Sequence, residues 1–281
     1  MGNIKTFYSY NIRINTFLFN LTVLFERLYM KSYLPFFILL YTSICFSQTI
    51  VDSPIPRDSR QLILVLTDSI TSTNGNLVYF ERSNNKSTWY PISSTLPVVL
   101  GRNGLGWGRG LNSIDSSKLP MKTEGDGMSP AGVFKLGAAF GYKKSEEMLG
   151  LKIPYIPITE MTECIDDIKS FYYNKIVTRN NIDKVDWESS EKMYFAEIWY
   201  EQGVIIEHNE DPIVNGGGSC IFLHNWSKPN ETSTGCTEME PSELKKIIYW
   251  LDSSADPIFV QLTKQLYDEY QIIWGLPSNY P

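Results

Sequence analysis

Short strand-like segments, set apart by turns and loops, are the feature that most constrains the fold of this chain. Some are continuously apolar, as in residues 61–67 (QLILVLT), and others alternate apolar with polar residues, as in residues 75–83 (GNLVYFERS). Asn74-Gly75 is a common turn dipeptide, so these two segments are predicted to form a hairpin. Further strands are predicted at the start of 96–111 and in 129–137, 202–209, 219–224 and 257–263.

One clear helix signal stands among these strands, in residues 241–252 (PSELKKIIYWLD). Pro241 suits the first turn of a helix, and four apolar residues from Leu244 to Leu251 recur at helical spacing. Strands and helices do not alternate regularly, which disfavours a doubly wound parallel sheet. The sequence therefore predicts a mainly β fold with one clear helix and a few short helices.

The N-terminal region has the layout of a secretory signal peptide in residues 30–47: a lysine, an apolar core, then small residues. Cleavage is predicted after Ser47, which leaves residues 48–281 as a single domain of moderate size. Residues 1–29 show no clean periodicity, and we interpret them as an over-extended reading frame. An uncleaved membrane anchor is the alternative. The sequence therefore predicts an exported protein.

The charge balance disfavours nucleic acid as a partner. The chain has 25 lysine and arginine residues against 31 aspartate and glutamate residues, a formal net charge of −6, and no long basic run. A phosphate backbone would find few cations to neutralise it. We infer neither a nucleic-acid partner nor an obligate protein partner.

Residues 218–240 (GSCIFLHNWSKPNETSTGCTEME) hold two of the four cysteines and one of the two histidines. On an extended strand over 219–224, Cys220 and His224 would share a face about 13 Å apart, too far for a thiol–imidazole pair. Cys236 can pair with His224, because the connection between them is long enough to return the chain beside the strand. Gly235 suits a tight turn whose N–H groups could form an oxyanion hole.

Two other interpretations of this segment stay open on chemistry alone. A zinc site could use Cys220, His224 and Cys236, but their spacing matches no standard zinc motif. Cys236 could also be a small buried apolar residue, although its neighbours in TSTGCTE are polar. A Cys–His nucleophile therefore competes with a structural role for the same residues.

The segments FLH and STGCTEM, taken together, resemble the signature of the L,D-transpeptidase (YkuD-like) family. Residues 126–137 (DGMSPAGVFKLG) are similar to the family's Thr/Ser-Pro-x-Gly-x-Phe strand, and the similarity runs from about residue 60 to 263. The resemblance implies a small β-sandwich or distorted barrel. It also implies Cys236 as nucleophile, His224 as general base, and backbone N–H groups of Gly235 and Cys236 as oxyanion donors. Thr234 stands where most members have a second histidine.

The chemistry that the resemblance implies is acyl transfer on peptidoglycan stem peptides in a bacterial periplasm or cell envelope. The thiolate attacks a stem-peptide carbonyl, a thioester forms, and an amine from a neighbouring stem resolves it; no metal or organic cofactor is needed. A nearby imidazolium is expected to increase the thiolate fraction. Water as acceptor would make the protein an L,D-carboxypeptidase, and a non-catalytic peptidoglycan-binding protein is the third interpretation.

Several residues outside the motif are secondary candidates for substrate binding. Trp107 and Arg109 lie in the glycine-rich segment 104–111, which could instead be a structured loop. Ser233 precedes the nucleophile motif, and His208 could face the cleft, although a hydrogen-bonded structural role is favoured for it.

Cleavage of the signal peptide would leave three cysteines, so at least one thiol of a monomer stays unpaired. Cys236 is the candidate nucleophile and is therefore expected to keep its free thiol, and export permits oxidation of the other two cysteines. A disulfide between Cys164 and Cys220 is therefore predicted.

Overall fold

A computed structural model of the chain describes residues 53–278 and Tyr280. The predicted signal peptide and the stretch before it lie outside these residues. In chain order the strands are β1 Gln61–Thr67, β2 Asn74–Glu81, β3 Tyr90–Pro91, β4 Leu96–Val99, β5 Leu105–Trp107, β6 Ser129–Gly141, β7 Tyr155–Pro157, β8 Thr162–Cys164, β9 Ile176–Thr178, β10 Glu191–Lys192, β11 Gln202–Ile206, β12 Phe222–Asn225, β13 Thr237–Met239 and β14 Ile258–Thr263. The α-helices are α1 Pro241–Trp250 and α2 Lys264–Trp274.

Eight of the strands close into a barrel. Their order is β1-β14-β6-β11-β12-β13-β4-β2, and the ring is completed because β2 pairs with β1. β1 runs parallel to β14 and antiparallel to β2. The short strands β3, β5 and β7 extend this sheet by pairing with β2 or β6. The expectation of a mainly β fold with a distorted barrel is confirmed.

The β1–β2 hairpin forms as predicted, but its turn is not where the sequence suggested. β2 begins at Asn74, and Asn74 and Gly75 pair with Val99 and Val98 of β4. The connection therefore runs through residues 68–73. The turn dipeptide is overridden because pairing with β4 satisfies its backbone groups, which a two-residue turn would have left free.

The predicted helix forms as α1, and a second helix, α2, was not identified from the sequence. The Thr263 hydroxyl accepts a hydrogen bond from the Leu266 N–H at the start of α2, and Gly275 ends it with a φ of 66°. Both residues are helix-boundary signals. The apolar periodicity between these two residues is weak, because only Leu266, Tyr267 and Trp274 of this helix are buried.

A small three-stranded sheet of order β10-β8-β9 lies beside the barrel strands. The predicted disulfide links it to the segment before β12: Cys164 and Cys220 are bonded, with their Cα atoms 6.0 Å apart. Cys236 is free and buried. A hydrophobic cluster that includes Phe140, Tyr200 and Phe222 surrounds these cysteines and is separate from the main core.

Five 3-10 helices complete the described part, at Ser145–Glu147, Arg179–Asn181, Met193–Phe195, Glu197–Tyr200 and Ser253–Ala255. Among the residues that the structure describes, no helix has both the length and the apolar character needed to cross a membrane.

Candidate active site

The turn that carries Cys236 is fixed by two hydroxyl groups. The Cys236 carbonyl accepts hydrogen bonds from Ser233 Oγ at 2.6 Å and from Ser129 Oγ, at the start of β6, at 3.0 Å. Ser233 Oγ also accepts from the Gly235 N–H at 3.0 Å. The Gly235 N–H, predicted as an oxyanion donor, is therefore free for a substrate only when the Ser233 hydroxyl turns away.

The Cys236 thiol is buried and bonded to the backbone before β12. The Phe222 N–H donates to Sγ at 3.3 Å, and the thiol donates to the Cys220 carbonyl at 3.4 Å. Burial, reinforced by the Glu191 and Glu238 carboxyls, raises the pKa of Cys236 well above its ordinary value, while the Phe222 N–H and Lys122 lower it. The resting form is therefore the neutral thiol.

The shared-face argument for Cys220 and His224 is wrong. β12 begins at Phe222, so residues 219–221 are not part of the strand. Cys220 has a φ of 55°, in the left-handed region, which breaks the alternation of side chains. This bend accompanies the disulfide and turns the Cys220 carbonyl towards the Cys236 thiol.

His224 lies on β12 with one ring nitrogen fixed by the backbone. Nδ1 is 2.8 Å from the Asn225 carbonyl, which can only accept, so Nδ1 carries the proton and Nε2 is left with a lone pair. The ring packs edge-on against Tyr200 at 5.1 Å between centroids. Burial lowers the pKa of His224 to about 4, although the Asn225 and Trp199 carbonyls oppose this. The imidazole is neutral at neutral pH.

Parallel pairing brings His224 and the nucleophile turn to one place. In the register of β12 and β13, His224 stands opposite Glu238, two residues after Cys236. Cys236 directly precedes β13, which begins at Thr237. His224 Nε2 lies 3.9 Å from Glu238 Oε1. His224, Cys236 and Glu238 consequently line one cavity.

This cavity has a volume of about 490 Å³ and opens to solvent. Its walls come from β10, the two 3-10 helices at 193–200, β12, β13 and the loop before Cys236. The lining residues are Glu191, Lys192, Phe195, Ala196, Trp199, Tyr200, His224, Glu231, Thr232, Ser233, Thr234, Cys236 and Glu238. Among the hydrogen bonds of the described residues, none joins Cys236 directly to His224.

Two carboxyl groups in the cavity were not identified from the sequence. Burial raises the pKa of Glu191 to about 7, and its carboxylate accepts from the Tyr200 hydroxyl, which lowers it. Burial, followed by repulsion from Glu231, raises the pKa of Glu238 to about 8. Glu238 is two residues from Cys236, and this spacing could have indicated from the sequence that it lies near the thiol. No sequence pattern around Glu191 indicates that it lies near Cys236.

Two of the secondary candidates for substrate binding do not line this cavity. Trp107 is fully buried in the main core, where its Nε1 donates to the Asp115 carbonyl. Arg109 is half-buried, and its guanidinium donates to the carbonyls of Lys122 and Gly217. Both side chains are thus held by backbone carbonyls of neighbouring loops.

His208 also lies outside the cavity. Its Nδ1 accepts from the Arg109 N–H at 3.1 Å, so Nε2 carries the proton and donates to the Gly217 carbonyl at 3.0 Å. Burial lowers the pKa of His208 to about 3. Both ring nitrogens are used in holding loops together, which matches the structural role favoured for this residue. Thr234 and Ser233, by contrast, do line the cavity.

A buried lysine, Lys122, lies close to the turn at residues 233–236 that carries Cys236, which we call the nucleophile turn. The sequence did not identify it. Lys122 is 3% exposed, and its Nζ pairs with Asp126 Oδ1 at 2.9 Å. A Cβ atom built on Gly235 would lie 3.4 Å from this Nζ. The positive charge is therefore close to the backbone just before Cys236, where it favours developing negative charge.

The zinc interpretation does not agree with the disulfide, because Cys164 and Cys220 share a covalent bond and neither offers a free thiolate. In the described part of the chain, no group of three or more histidine, cysteine, aspartate and glutamate residues is arranged to hold a metal ion.

Comparison with known proteins gives one match. The family model YkuD, described as the L,D-transpeptidase catalytic domain, matches residues 69–260, more than half of the chain. The matched range includes His224, Cys236 and Glu238. The chain matched no curated protein and no solved structure.

Proposed function

The chain belongs to the YkuD family of L,D-transpeptidase catalytic domains, and we propose that it transfers acyl groups on peptidoglycan stem peptides with Cys236 as nucleophile and His224 as general base. The observation that carries the proposal is the cavity that Cys236 and His224 line together. Family membership supports an enzyme of the L,D-transpeptidase type. The roles of the individual residues are our inference.

Because both groups are neutral at rest, the proposed first step is attack coupled to proton transfer. As Sγ bonds to the carbonyl carbon of the diamino-acid residue, His224 Nε2 takes the thiol proton. The carbonyl oxygen becomes an oxyanion near the N–H groups of Gly235 and Cys236 and the charge of Lys122. Collapse breaks the peptide C–N bond, and the imidazolium gives its proton to the leaving amine of the terminal D-amino acid. A thioester on Cys236 remains.

The second step decides the reaction type. An amine from a neighbouring stem peptide would attack the thioester and give a cross-link, whereas water would give a shortened stem peptide. Both products pass through the same thioester, so acceptor selection alone separates a transpeptidase from an L,D-carboxypeptidase.

We propose that this reaction takes place outside the cytoplasm, in the periplasm or cell envelope. The Cys164–Cys220 disulfide supports this location, since such bonds persist in oxidising compartments and are rare in the cytosol. It also leaves Cys236 as the one thiol among the described residues.

Mass spectrometry of tetrapeptide muropeptides incubated with the protein tests the proposal. A cross-linked dimer that is absent with Cys236→Ala supports transpeptidation, and a tripeptide that depends on Cys236 identifies hydrolysis. Unchanged muropeptides, together with a Cys236 that iodoacetamide does not alkylate near neutral pH, would favour the non-catalytic binding protein, for which the high thiol pKa and Thr234 argue.

A further inference from the structure

Glu238 has a carboxyl oxygen with no partner among the residues that the structure describes. The residue is 4% exposed, yet its Oε2 makes no hydrogen bond among the described residues. The other oxygen, Oε1, lies 3.9 Å from Nε2 of the neutral His224 ring, which is too far for a hydrogen bond. A buried carboxyl group without partners is costly, so such groups are usually satisfied by something that the isolated chain does not supply.

The other charged groups of the cavity are already occupied. Lys192 donates to Glu163 Oε1 at 2.6 Å, and Glu191 accepts from the Tyr200 hydroxyl. Glu231, at the rim, accepts from the Ser227 hydroxyl. His224 is neutral at neutral pH. Among the charged residues that line the cavity, Glu238 is thus the one whose carboxyl group makes no hydrogen bond at either oxygen within the described residues.

We propose that Glu238 binds a primary ammonium group on the diamino-acid side chain of a stem peptide, and so makes the cavity selective for amine-bearing peptides. This inference rests on the proposed function. An ammonium group is compact and offers three donors, which suits a carboxyl group that lines the cavity and makes no hydrogen bond within the described residues. Charge-assisted hydrogen bonds of this kind are the strong ones.

The protonation state of Glu238 is consistent with this role. With a pKa of about 8, the free protein holds a proton on Glu238 at neutral pH. An ammonium group beside it favours the ionised form, so binding expels that proton. Ligand binding should therefore release up to about one proton per molecule near pH 7, which calorimetry in buffers of different ionisation enthalpy detects.

The ammonium group could come from either of two stem peptides. It could belong to the donor, whose carbonyl is attacked, or to the acceptor, whose amine resolves the thioester. In the second case the ammonium first passes a proton to the Glu238 carboxylate. The amine nitrogen then forms the C–N bond, the C–S bond breaks with its electron pair on Sγ, and His224 carries the second N–H proton to the thiolate. The Glu238 proton leaves to solvent.

Binding to full-length Cys236→Ala protein tests the inference without turnover. The probes are a synthetic tetrapeptide stem with a free side-chain amine and the same peptide acetylated on that amine. We expect the free amine to bind roughly tenfold or more tightly, and this difference to disappear in Cys236→Ala/Glu238→Gln. Equal affinity for the two probes, or a difference that survives Glu238→Gln, would overturn the inference.

Glu210→Gln on the Cys236→Ala background is the matched control. Desolvation, followed by repulsion from Glu207, also raises the pKa of Glu210 to about 7, but Glu210 is exposed and lines a different cavity, beside Cys164 and Ile176. It should keep the preference for the free amine. Loss of the preference in this variant as well would show a general charge effect and contradict a specific site at Glu238.

Turnover by protein with an intact Cys236 distinguishes the two sources. If the acceptor supplies the ammonium, Glu238→Gln lowers the ratio of cross-linked to hydrolysed product; if the donor supplies it, kcat/KM for thioester formation falls at an unchanged ratio. An effect on neither quantity contradicts the inference. The proposed function fails separately, if the unmodified protein forms no thioester on Cys236 with any stem peptide.

Discussion

At the residue scale, burial sets the state of the thiol and the imidazole that we propose as the reacting pair. It raises the pKa of Cys236 well above its ordinary value and lowers that of His224 to about 4. The expectation that an imidazolium increases the thiolate fraction therefore does not hold for the resting protein. A base that takes the proton during attack is consistent with these values, and a preformed thiolate–imidazolium pair is not.

Substitutions at three residues that line the cavity should have clearly different effects on the rate at which a carbapenem acylates the protein. Cys236→Ala removes the proposed nucleophile and His224→Ala removes the proposed base, so both should abolish adduct formation. Thr234 is exposed on the rim of the cavity. Thr234→Val loses at most one neutral hydrogen bond, about 0.5–1.5 kcal/mol, so its rate should fall about tenfold or less. Adduct formation is followed by intact-protein mass spectrometry.

His208→Ala provides the contrast for this series. Both ring nitrogens of His208 hold loop backbone groups, so its loss should lower stability while folded protein still forms the adduct. An inactive His208→Ala beside an active His224→Ala would reverse the assignment of the base.

Removal of the buried positive charge behind the nucleophile turn should make the thiol less reactive. Lys122 lowers the pKa of Cys236, so Lys122→Gln should raise it further and slow alkylation by iodoacetamide several-fold at a fixed pH near neutrality. The pH dependence of alkylation measures the shift directly.

Lys122→Gln/Asp126→Asn controls for the aspartate that the single substitution leaves without its cation. If the double variant also loses reactivity, the Lys122 charge itself is responsible. A pH profile unchanged in both variants would show that the charge does not act on the thiol.

At the scale of the elements, the three-stranded sheet beside the cavity is organised around Glu163 of β8. This side chain is 2% exposed and accepts from Arg179 and Lys192 in ion pairs. It also accepts from Trp187 Nε1 and Ser190 Oγ. The same sheet contributes β10 to the cavity wall and holds Cys164 of the disulfide. The position of Glu191 therefore depends on an ionised Glu163.

Acid should unfold or loosen this sheet through Glu163. Burial alone would raise its pKa, but the hydrogen bonds from Lys192, Arg179, Ser190 and Trp187 outweigh it and lower the pKa to about 2. A folded-state pKa below the ordinary value of 4.5 contributes stability above about pH 4.5, which is lost as pH falls towards 2. The shift corresponds to roughly 3 kcal/mol at pH 7.

Urea unfolding between pH 3 and 7 measures this contribution. Glu163→Gln should be less stable at pH 7 and should lose less stability than the unmodified protein as pH falls. Glu160→Gln, at an exposed position just before β8, should follow the unmodified protein. Parallel pH curves for Glu163→Gln and the unmodified protein would contradict the linkage.

At the scale of the whole molecule, closure of the barrel couples the nucleophile turn to the opposite wall. β13 and β14 are four positions apart in the ring of eight strands, so they face each other across the interior. Thr237, the residue after Cys236, donates its hydroxyl to Gln261 Oε1 of β14 at 2.9 Å. Gln261 Nε2 donates to the Pro130 carbonyl at 2.9 Å. Both side chains are fully buried.

Gln261→Met should destabilise the barrel, because it leaves the Thr237 hydroxyl and the Pro130 carbonyl buried without partners. The expected loss is about 1–3 kcal/mol in the free energy of unfolding. A double-mutant cycle with Thr237→Val should give a measurable coupling energy, since the two side chains are in contact. Additive effects would show that the bridge across the barrel contributes nothing.

Much of the fold was predictable because its signals are local. The apolar runs of β1 and β14 and the spacing of α1 are properties of neighbouring residues. The alternation expected for β2 is not observed, because its residues 77–80 are all buried. α2 had boundary signals at both ends, but few of its residues are buried, so its periodicity was weak. The hairpin turn was misplaced because pairing of Asn74 and Gly75 with Val99 and Val98 of β4 outweighed a favourable dipeptide.

The sequence by itself determined the strand-rich class, the family resemblance, the candidates Cys236 and His224, and the pairing of the other two described cysteines. These follow from residue type, short-range spacing and parity. Only the tertiary structure decided that the barrel closes and that Trp107, Arg109 and His208 do not line the cavity. It also decided that Glu191, Glu238 and Lys122 surround the thiol. Burial and charge at a site depend on which distant strands pair and in what register, and no local pattern along the chain encodes that pairing.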